Sequence, residues 1–455
     1  MNQNHVITID QEVKFMNTQM KKPPKLLHKS AGMDSCCIFR VPQSLFEINR
    51  EAYQPRIVSI GPYHHGNKHL EIIEEHKWRY LNDLIQRTGK SIGFFMKIIV
   101  SMQDQIRQSY SESIDQFSTN DLAKMMVLDG CFLIELFRKV GKLVQTDIYD
   151  PIFRVAWVSP FLMRDLLRIE NQIPFFVLQK LFDVSKPEVS KPDDPTLSYL
   201  ILEFFNYTVD RKKEILNQHK NTEGKHLLDF FRKSFINPKE QNPVPTFDIS
   251  KNSFQKLIHL PTKLRINYSS SVKLIPPANK LKIAGVKFKA SHEPDSFLDI
   301  EFRNGVLLIP QINMDDFYSS FFLNCVAFEQ CYFHCRKHIT TYVVFMGCLM
   351  HTSTDVGLLA EGKIIENYFG KDKEIAEFFK SVGKDVAFDI TNNYLRHLFI
   401  ELNNYWNGWN VSVDGIKSTY FPSRWASISV FAAFLLLSLA VLQTFYTIYP
   451  YYHPN

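Results

Sequence analysis

Residues 122–140 read LAKMMVLDGCFLIELFRKV. A helix drawn through this stretch is apolar almost all round, whereas a surface helix shows a single apolar stripe. The spacing therefore predicts a helix buried between other helices. Asp129 and Glu135 lie inside the run and would need partners there.

The flanking segments supply the neighbours. Leu70 to Gln86, LEIIEEHKWRYLNDLIQ, has apolar residues at 70, 73, 81 and 84 with Tyr80 beside them, which is helical spacing. Glu75 and Arg79 stand at i,i+4 on its wet face. Phe161 to Phe182 reads as two helices, the first fading at Asn171-Gln172 and the second opening at Pro174. Arg164, Asp165, Arg168 and Glu170 lie on the first. With Asp129 and Glu135 they read either as acid–base pairs or as an interhelical ion-pair network. The high cost of an unpaired buried charge favours the network. Leu197 to Ile236 is also helical in pattern, as are Phe317–Cys348, Lys373–Val382 and Phe388–Trp406.

Bulk composition agrees with a large folded chain. Its 455 residues are 45% hydrophobic and 22% charged, outside the range of disordered proteins. The 38 phenylalanines suggest aromatic packing between helices. A net charge of +6, spread over interspersed signs with no basic stripe, argues against nucleic acid as a partner. Seven cysteines, an odd and sparse set, do not read as a disulfide framework.

Residues 1–35 read as a disordered polar arm without the apolar core of a secretory signal. Residues 36–420 form the globular region, with surface loops near 183–195 and 237–245 where proline and charge accumulate. A small antiparallel sheet is expected near 284–312. There Leu298, Ile300 and Phe302 alternate with polar residues before an Asn304-Gly305 hairpin turn. Val286 and Phe288 would add a third strand. The fold class is thus mainly α with a small β element.

Trp425 to Ile448 contains no charged residue over 24 positions. As a helix it spans ~36 Å, enough for a hydrocarbon core of ~30 Å. Trp425, Tyr446 and Tyr449 fall where interfacial aromatics belong. The stretch reads as a single transmembrane helix with a short tail, 449–455. Lys417 and Arg424 precede it and no lysine or arginine follows, so the N-terminal region is expected on the cytoplasmic side, with the plasma membrane as the expected membrane. Three sequons, at Asn206, Asn267 and Asn410, argue the other way but are about what chance supplies in an Asn-rich chain.

Two stretches invite a chemical reading. In VSIGPYHHG, 58–66, an extended segment reaches the Gly61-Pro62 turn, and Tyr63, His64, His65 and Gly66 follow at the mouth of the next helix. The histidines lack a third partner at a telling spacing, so structural bracing outweighs metal or acid–base chemistry. In CYFHCRKH, Cys331, His334, Cys335 and His338 share one face if the helix runs on, but a straight helix cannot aim all four at one ion. No G-x-S-x-G elbow, P-loop or G-x-G-x-x-G is present. No residue is therefore assigned as catalytic, cofactor-binding or metal-ligating.

Taken in order, IFRVPQSLFEINREAYQPRIVSIGPYHHGNKHLEIIEEHKWRYL at 38–81, MMVLDGCFLIELF at 125–137, RDLLRIENQIPFFVLQKLF at 164–182 and AGVKFK at 284–289 resemble the plant-specific domain of unknown function 247 family. LDIEFRNGVLLIP at 298–310, NCVAFEQCY at 324–332 and DVGLLAEGKIIENYFG at 355–370 complete the set. The resemblance covers essentially everything after residue 35; MDDFYSS at 314–320 is looser than the usual pattern. It implies a membrane-associated protein without established enzymatic activity, and recognition or signalling by protein contact. The expectation is a membrane-anchored, non-enzymatic interaction protein with an unidentified protein partner. The alternative is a membrane-bound enzyme, such as a metal-dependent hydrolase using His64 and His65.

Overall fold

The computed structural model describes residues 3–22, 24, 26–187, 194–241, 273–384, 386–420 and 424–452. Described helices of seven or more residues are α1 (Gln3–Lys21), α2 (Glu71–Thr88), α3 (Ile92–Val100), α4 (Thr119–Val140), α5 (Val158–Leu166), α6 (Phe175–Val184) and α7 (Leu197–Val209). They continue with α8 (Leu227–Lys233), α9 (Asp316–Cys331), α10 (His338–Leu349), α11 (Ser353–Glu361), α12 (Asp372–Val382), α13 (Arg396–Tyr420) and α14 (Arg424–Tyr452).

α4 is the axis of the N-terminal half. Ser118 opens it by accepting the Asp121 N–H at 3.2 Å, and Asp121 places negative charge in the first turn, where the helix dipole favours it. From Leu122 to Lys139 only Lys124 reaches solvent. α2, α3, α6 and α7 pack around this cylinder. Gly130 admits α6 closely, since a Cβ there would lie 2.5 Å from Leu181 Cδ1.

α2 buries Ile73, Tyr80, Leu81 and Leu84 as its spacing predicts. It also buries Lys77 on the same face. Arg79 is 2.6 Å from Asp150 and so serves a loop contact in place of the expected Glu75 pair.

The C-terminal half packs α9, α10, α11 and α12 on one another, with α8 and the short Arg50–Tyr53 helix against α9. Phenylalanines fill the junction: Phe235 and Phe297 lie 4.8 Å apart, Phe231 and Phe321 5.2 Å, and Phe297 and Tyr342 5.0 Å. Buried residues of both halves form one continuous apolar cluster.

The β element is mixed, which corrects the antiparallel sheet expected near 284–312. β1 (Lys287–Ala290), β2 (Glu301–Arg303) and β3 (Val306–Ile309) stand in the order β1-β3-β2. The β2–β3 pair is the predicted hairpin, with positive φ at both Asn304 and Gly305. β1 instead pairs with β3 in parallel, Lys287 opposite Val306, because it enters from the Ala278–Ile283 helix at the same end. A second parallel pair joins β4 (Ile312–Met314) to β5 (Ile365–Asn367), with α9 to α11 as the crossover.

Within the N-terminal arm, expected to be disordered, Gln3–Lys21 form α1, whose described side chains are exposed, and Lys29–Gly32 form a 3-10 turn in which Ser30 is buried and donates to Tyr110 O at 2.9 Å. The loops near 183–195 and 237–245 are described only in part, because residues 188–193 and 242–272 lie outside the described set. Residues 425–448 are helical within α14. Among the described residues no single helix is long and apolar enough to cross a membrane; the apolar run of α14 among them is Phe431–Phe445. α10 and α11 together have the length and composition but bend by 103° and carry core residues such as Val343, Met346 and Leu359.

Candidate functional site

The extended segment 56–61 has no sheet partner, so its backbone groups need other acceptors and donors. Side chains from α2, α4, the end of α5 and the α5–α6 connection supply them. One Asp165 oxygen accepts the N–H groups of Arg56, Ile57 and Val58 at 2.8, 2.7 and 3.2 Å. Asn171 accepts from Ile60 N at 2.7 Å and donates to Val58 O at 3.1 Å. Asp129 accepts from Gly61 N at 2.8 Å, while its other oxygen lies 2.6 Å from the buried Lys77 ammonium. Lys77 also donates to Ser59 O and Glu74.

Gly61 is required at the end of this segment. Its φ is +77°, and a Cβ would sit 2.4 Å from Gln172 O. Tyr63 follows, its hydroxyl 3.3 Å from Ser111 Oγ and accepting Glu112 N–H at 3.2 Å. The Arg40 guanidinium stacks 4.1 Å above its ring. Arg40 also donates to Glu170 at 2.7 Å, and Val41 N donates to the other Glu170 oxygen at 2.8 Å. His64 Nε2 lies 3.5 Å from Glu170. Burial alone would raise the Glu170 carboxyl, but His64, Arg40 and the Val41 N–H hold it below the usual range. His65 is exposed and meets Phe117 edge-on at 5.7 Å.

The structure thus brings the predicted acids and the GPYHHG stretch into one bracing network. Glu135 stands apart from it, paired with Arg87 and with Arg138 at 3.0 Å in a separate cluster around Ser185. Arg168 donates to Asp165 at 2.9 Å, while Arg164 turns away to Asp316. Sequence reading missed Arg40 and Lys77. Lys77 had a signal: it fills the gap between Ile73 and Tyr80-Leu81 on the apolar face of α2.

The CYFHCRKH residues do not share a helical face, because α9 stops at Cys331 and α10 restarts at His338. The first turn of α10 is capped from α9 and not from the chain between them. Glu329 accepts the N–H groups of Ile339 and Thr340 at 3.1 and 2.8 Å and is paired with Arg232 at 3.1 Å. Burial pushes the Cys331 and Cys335 thiols up to about 12, so neither is a ready thiolate ligand. His334 pairs with Asp34 at 2.7 Å. All seven cysteines are free thiols. Among the described residues no group of three or more His, Cys, Asp or Glu side chains is placed to hold a metal ion.

Of the sequons, Asn206 lies in α7 with its amide spent on the helix end, accepting from Arg211 N at 2.7 Å and donating to Arg211 O at 2.9 Å. A glycan on that nitrogen would displace the donated bond. Asn410 is in α13, and Asn267 lies outside the described residues.

A surface cleft of about 500 Å³ opens beside the network, between α5, α7 and the start of α9. Met163 and Phe317 line its base, with Arg164, Asp315 and Asp316 around them and Tyr207 and Tyr368 at the rim. Arg164 and Asp316 are joined at 2.9 Å across it. Nothing in the linear order of these residues marked them as neighbours.

A family described as plant protein of unknown function, DUF247, matches residues 38–439. UPF0481 protein At3g47200 of Arabidopsis thaliana is 40% identical over 438 residues, covering 94% of this chain and 90% of that relative. Putative UPF0481 protein At3g02645 of the same plant is 25% identical over 485 residues, covering 90% and 89%. No solved structure matches. The match runs through the bracing network from Arg40 to Glu170, the cleft and most of α14, and the chain therefore belongs to the DUF247 family of plant proteins.

Proposed function

We propose that this chain is a non-enzymatic recognition or signalling protein held to a membrane by one C-terminal helix, its N-terminal region on the cytoplasmic face of the plasma membrane. The observation that carries the reading is α14. Ile428, Phe431, Phe434, Leu435, Leu439 and Phe445 on this helix are each 47–68% exposed, and the helix packs no core. Such a surface is costly in water and satisfied in hydrocarbon, where a helix also meets its own backbone hydrogen bonds. The charge-free stretch Trp425–Ile448 and the preceding Lys417 and Arg424 support a single span in this orientation.

The non-enzymatic part is supported by how the titratable groups of the 56–66 region are used. Asp129, Asp165 and Glu170 spend their oxygens on backbone N–H groups and on cations, which leaves little acid–base capacity facing an open site.

Alkaline carbonate extraction of membranes tests the anchor. The full chain should stay in the pellet and a chain ending at Tyr420 should be released; release of both overturns the anchor. Recognition is tested by photo-crosslinking in intact membranes from exposed positions such as Tyr149 and Tyr207. A discrete crosslinked partner is the expected result, and its absence from every surface position overturns the recognition reading.

A further inference from the structure

We propose that the cleft between α5, α7 and the N-terminus of α9 binds a basic segment of the protein partner, holding an arginine or lysine side chain between Tyr207 and Tyr368. This rests on the recognition reading above and names the partner's chemistry. Tyr207 is 87% exposed and Tyr368 62% exposed, so two broad aromatic faces stand at the cleft rim. Aromatic faces attract cations through the ring quadrupole, and guanidinium groups stack on them as well.

Charge in the cleft favours the same occupant. Its lining carries Asp315, Asp316 and a single cation, Arg164, already committed to Asp316 and lying 4.4 Å from the Phe161 ring. The positive end of α9 is offset within the chain, because Asp315 accepts the Tyr318 N–H at 2.9 Å. An anionic ligand would meet an excess of carboxylate here, whereas a guanidinium finds a carboxylate partner and stacking surfaces together.

The test uses the full chain in lipid nanodiscs and a fluorescein-labelled peptide, Gly-Arg-Ser-Arg-Gly, followed by anisotropy. A second peptide carries citrulline at both arginine positions, and a third carries glutamate. The arginine peptide should bind with an affinity that falls as salt rises, and the citrulline peptide should bind at least about tenfold more weakly. Tyr207→Leu and Tyr368→Leu should each weaken binding about two- to fivefold, the size of an exposed cation–π contact. Both side chains are exposed, so both variants should keep the thermal midpoint of the unchanged protein.

Equal binding of the citrulline peptide, preference for the glutamate peptide, no saturable binding, or an unchanged affinity in the double tyrosine variant each overturns the proposal. These failures are separable from failure of the recognition reading. A crosslinked partner obtained alongside a negative peptide result overturns only the basic-segment assignment, whereas no partner from any surface overturns recognition itself.

Discussion

Lys77 carries an ammonium that is only 1% exposed and is surrounded by Asp129, Glu74 and Ser59 O. Removing one member of such a group leaves the other charge buried and unmatched, which typically costs 3–5 kcal/mol. Lys77→Met should therefore destabilise the protein by about that amount, since Asp129 keeps only the Gly61 N–H. Adding Asp129→Asn removes the stranded charge yet keeps an acceptor for Gly61. The double variant should recover roughly 1–2 kcal/mol, read from urea midpoints of the full chain in micelles by tryptophan fluorescence. Additive losses would mean that the two side chains do not act as a pair. Residue-scale roles were half legible in advance. Asp129, Asp165 and Glu170 announced themselves as charges in apolar runs that demanded partners. Which partners they would take, three successive backbone N–H groups in the case of Asp165, depends on a chain crossing more than a hundred residues away.

The segment 56–66 behaves as an element although it is neither helix nor strand, and its two glycines separate backbone conformation from packing. Gly61 has φ +77° and Gln172 O where a Cβ would go; Gly66 has φ +80° and open space around it. Gly66→Ala should cost only the left-handed penalty, about 1–2 kcal/mol. Gly61→Ala adds a clash with backbone that cannot swing aside, so its loss should exceed the Gly66 value by at least about 1 kcal/mol. Equal thermal shifts for the two would contradict the close approach. Elements with strong local signals were legible: α4 from apolar residues on every side, and the β2–β3 hairpin from Asn304-Gly305. The parallel pairing of β1 was not, because its direction is set by the incoming Ala278–Ile283 helix and not by its own residues. The break after Cys331 was also hidden, since Cys-Tyr-Phe-His-Cys contains no glycine or proline to mark it. The demand of Glu329 for the N–H groups of Ile339 and Thr340 sets where the next helix begins.

Stability of the whole molecule should depend on pH in a definite direction. His219, His226 and His338 are buried, and burial lowers each of them to about 4. Above the unfolded value of about 6.5 they are neutral in both states and contribute nothing. As pH falls from 6.5 toward 4 the unfolded chain takes up protons that the fold refuses, so stability drops by up to about 1.4 kcal/mol per pH unit for each. Glu170, held below the usual carboxylate range, loses its contribution only at more acid pH. Between pH 7 and 5 His76, which burial also lowers, adds to this loss, while the carboxyls of Asp299, Asp315 and Glu329, which burial raises, oppose it. His226→Asn, which keeps an N-cap acceptor for α8, should therefore flatten the slope of urea midpoint against pH without abolishing it. An unchanged slope would show that His226 takes its proton in the folded state. At this scale the cleft was the least legible feature, because α5, α7, α9 and the residue after β5 contribute to it from positions 159 to 368.

The crossing made by residues 56–61 also sets a schedule for a ribosome. These residues leave the exit tunnel long before Asp165 and Asn171, which lie 107 to 113 positions further on. At roughly 5–20 residues per second that is an interval on the order of 5–20 s in which the backbone groups of Arg56, Ile57, Val58 and Ile60 lack these side-chain partners. The N-terminal strap is consequently a late-closing seam in a chain that is read early, and a nascent chain arrested before Asn171 would present GPYHHG open to any factor that scans unfinished proteins.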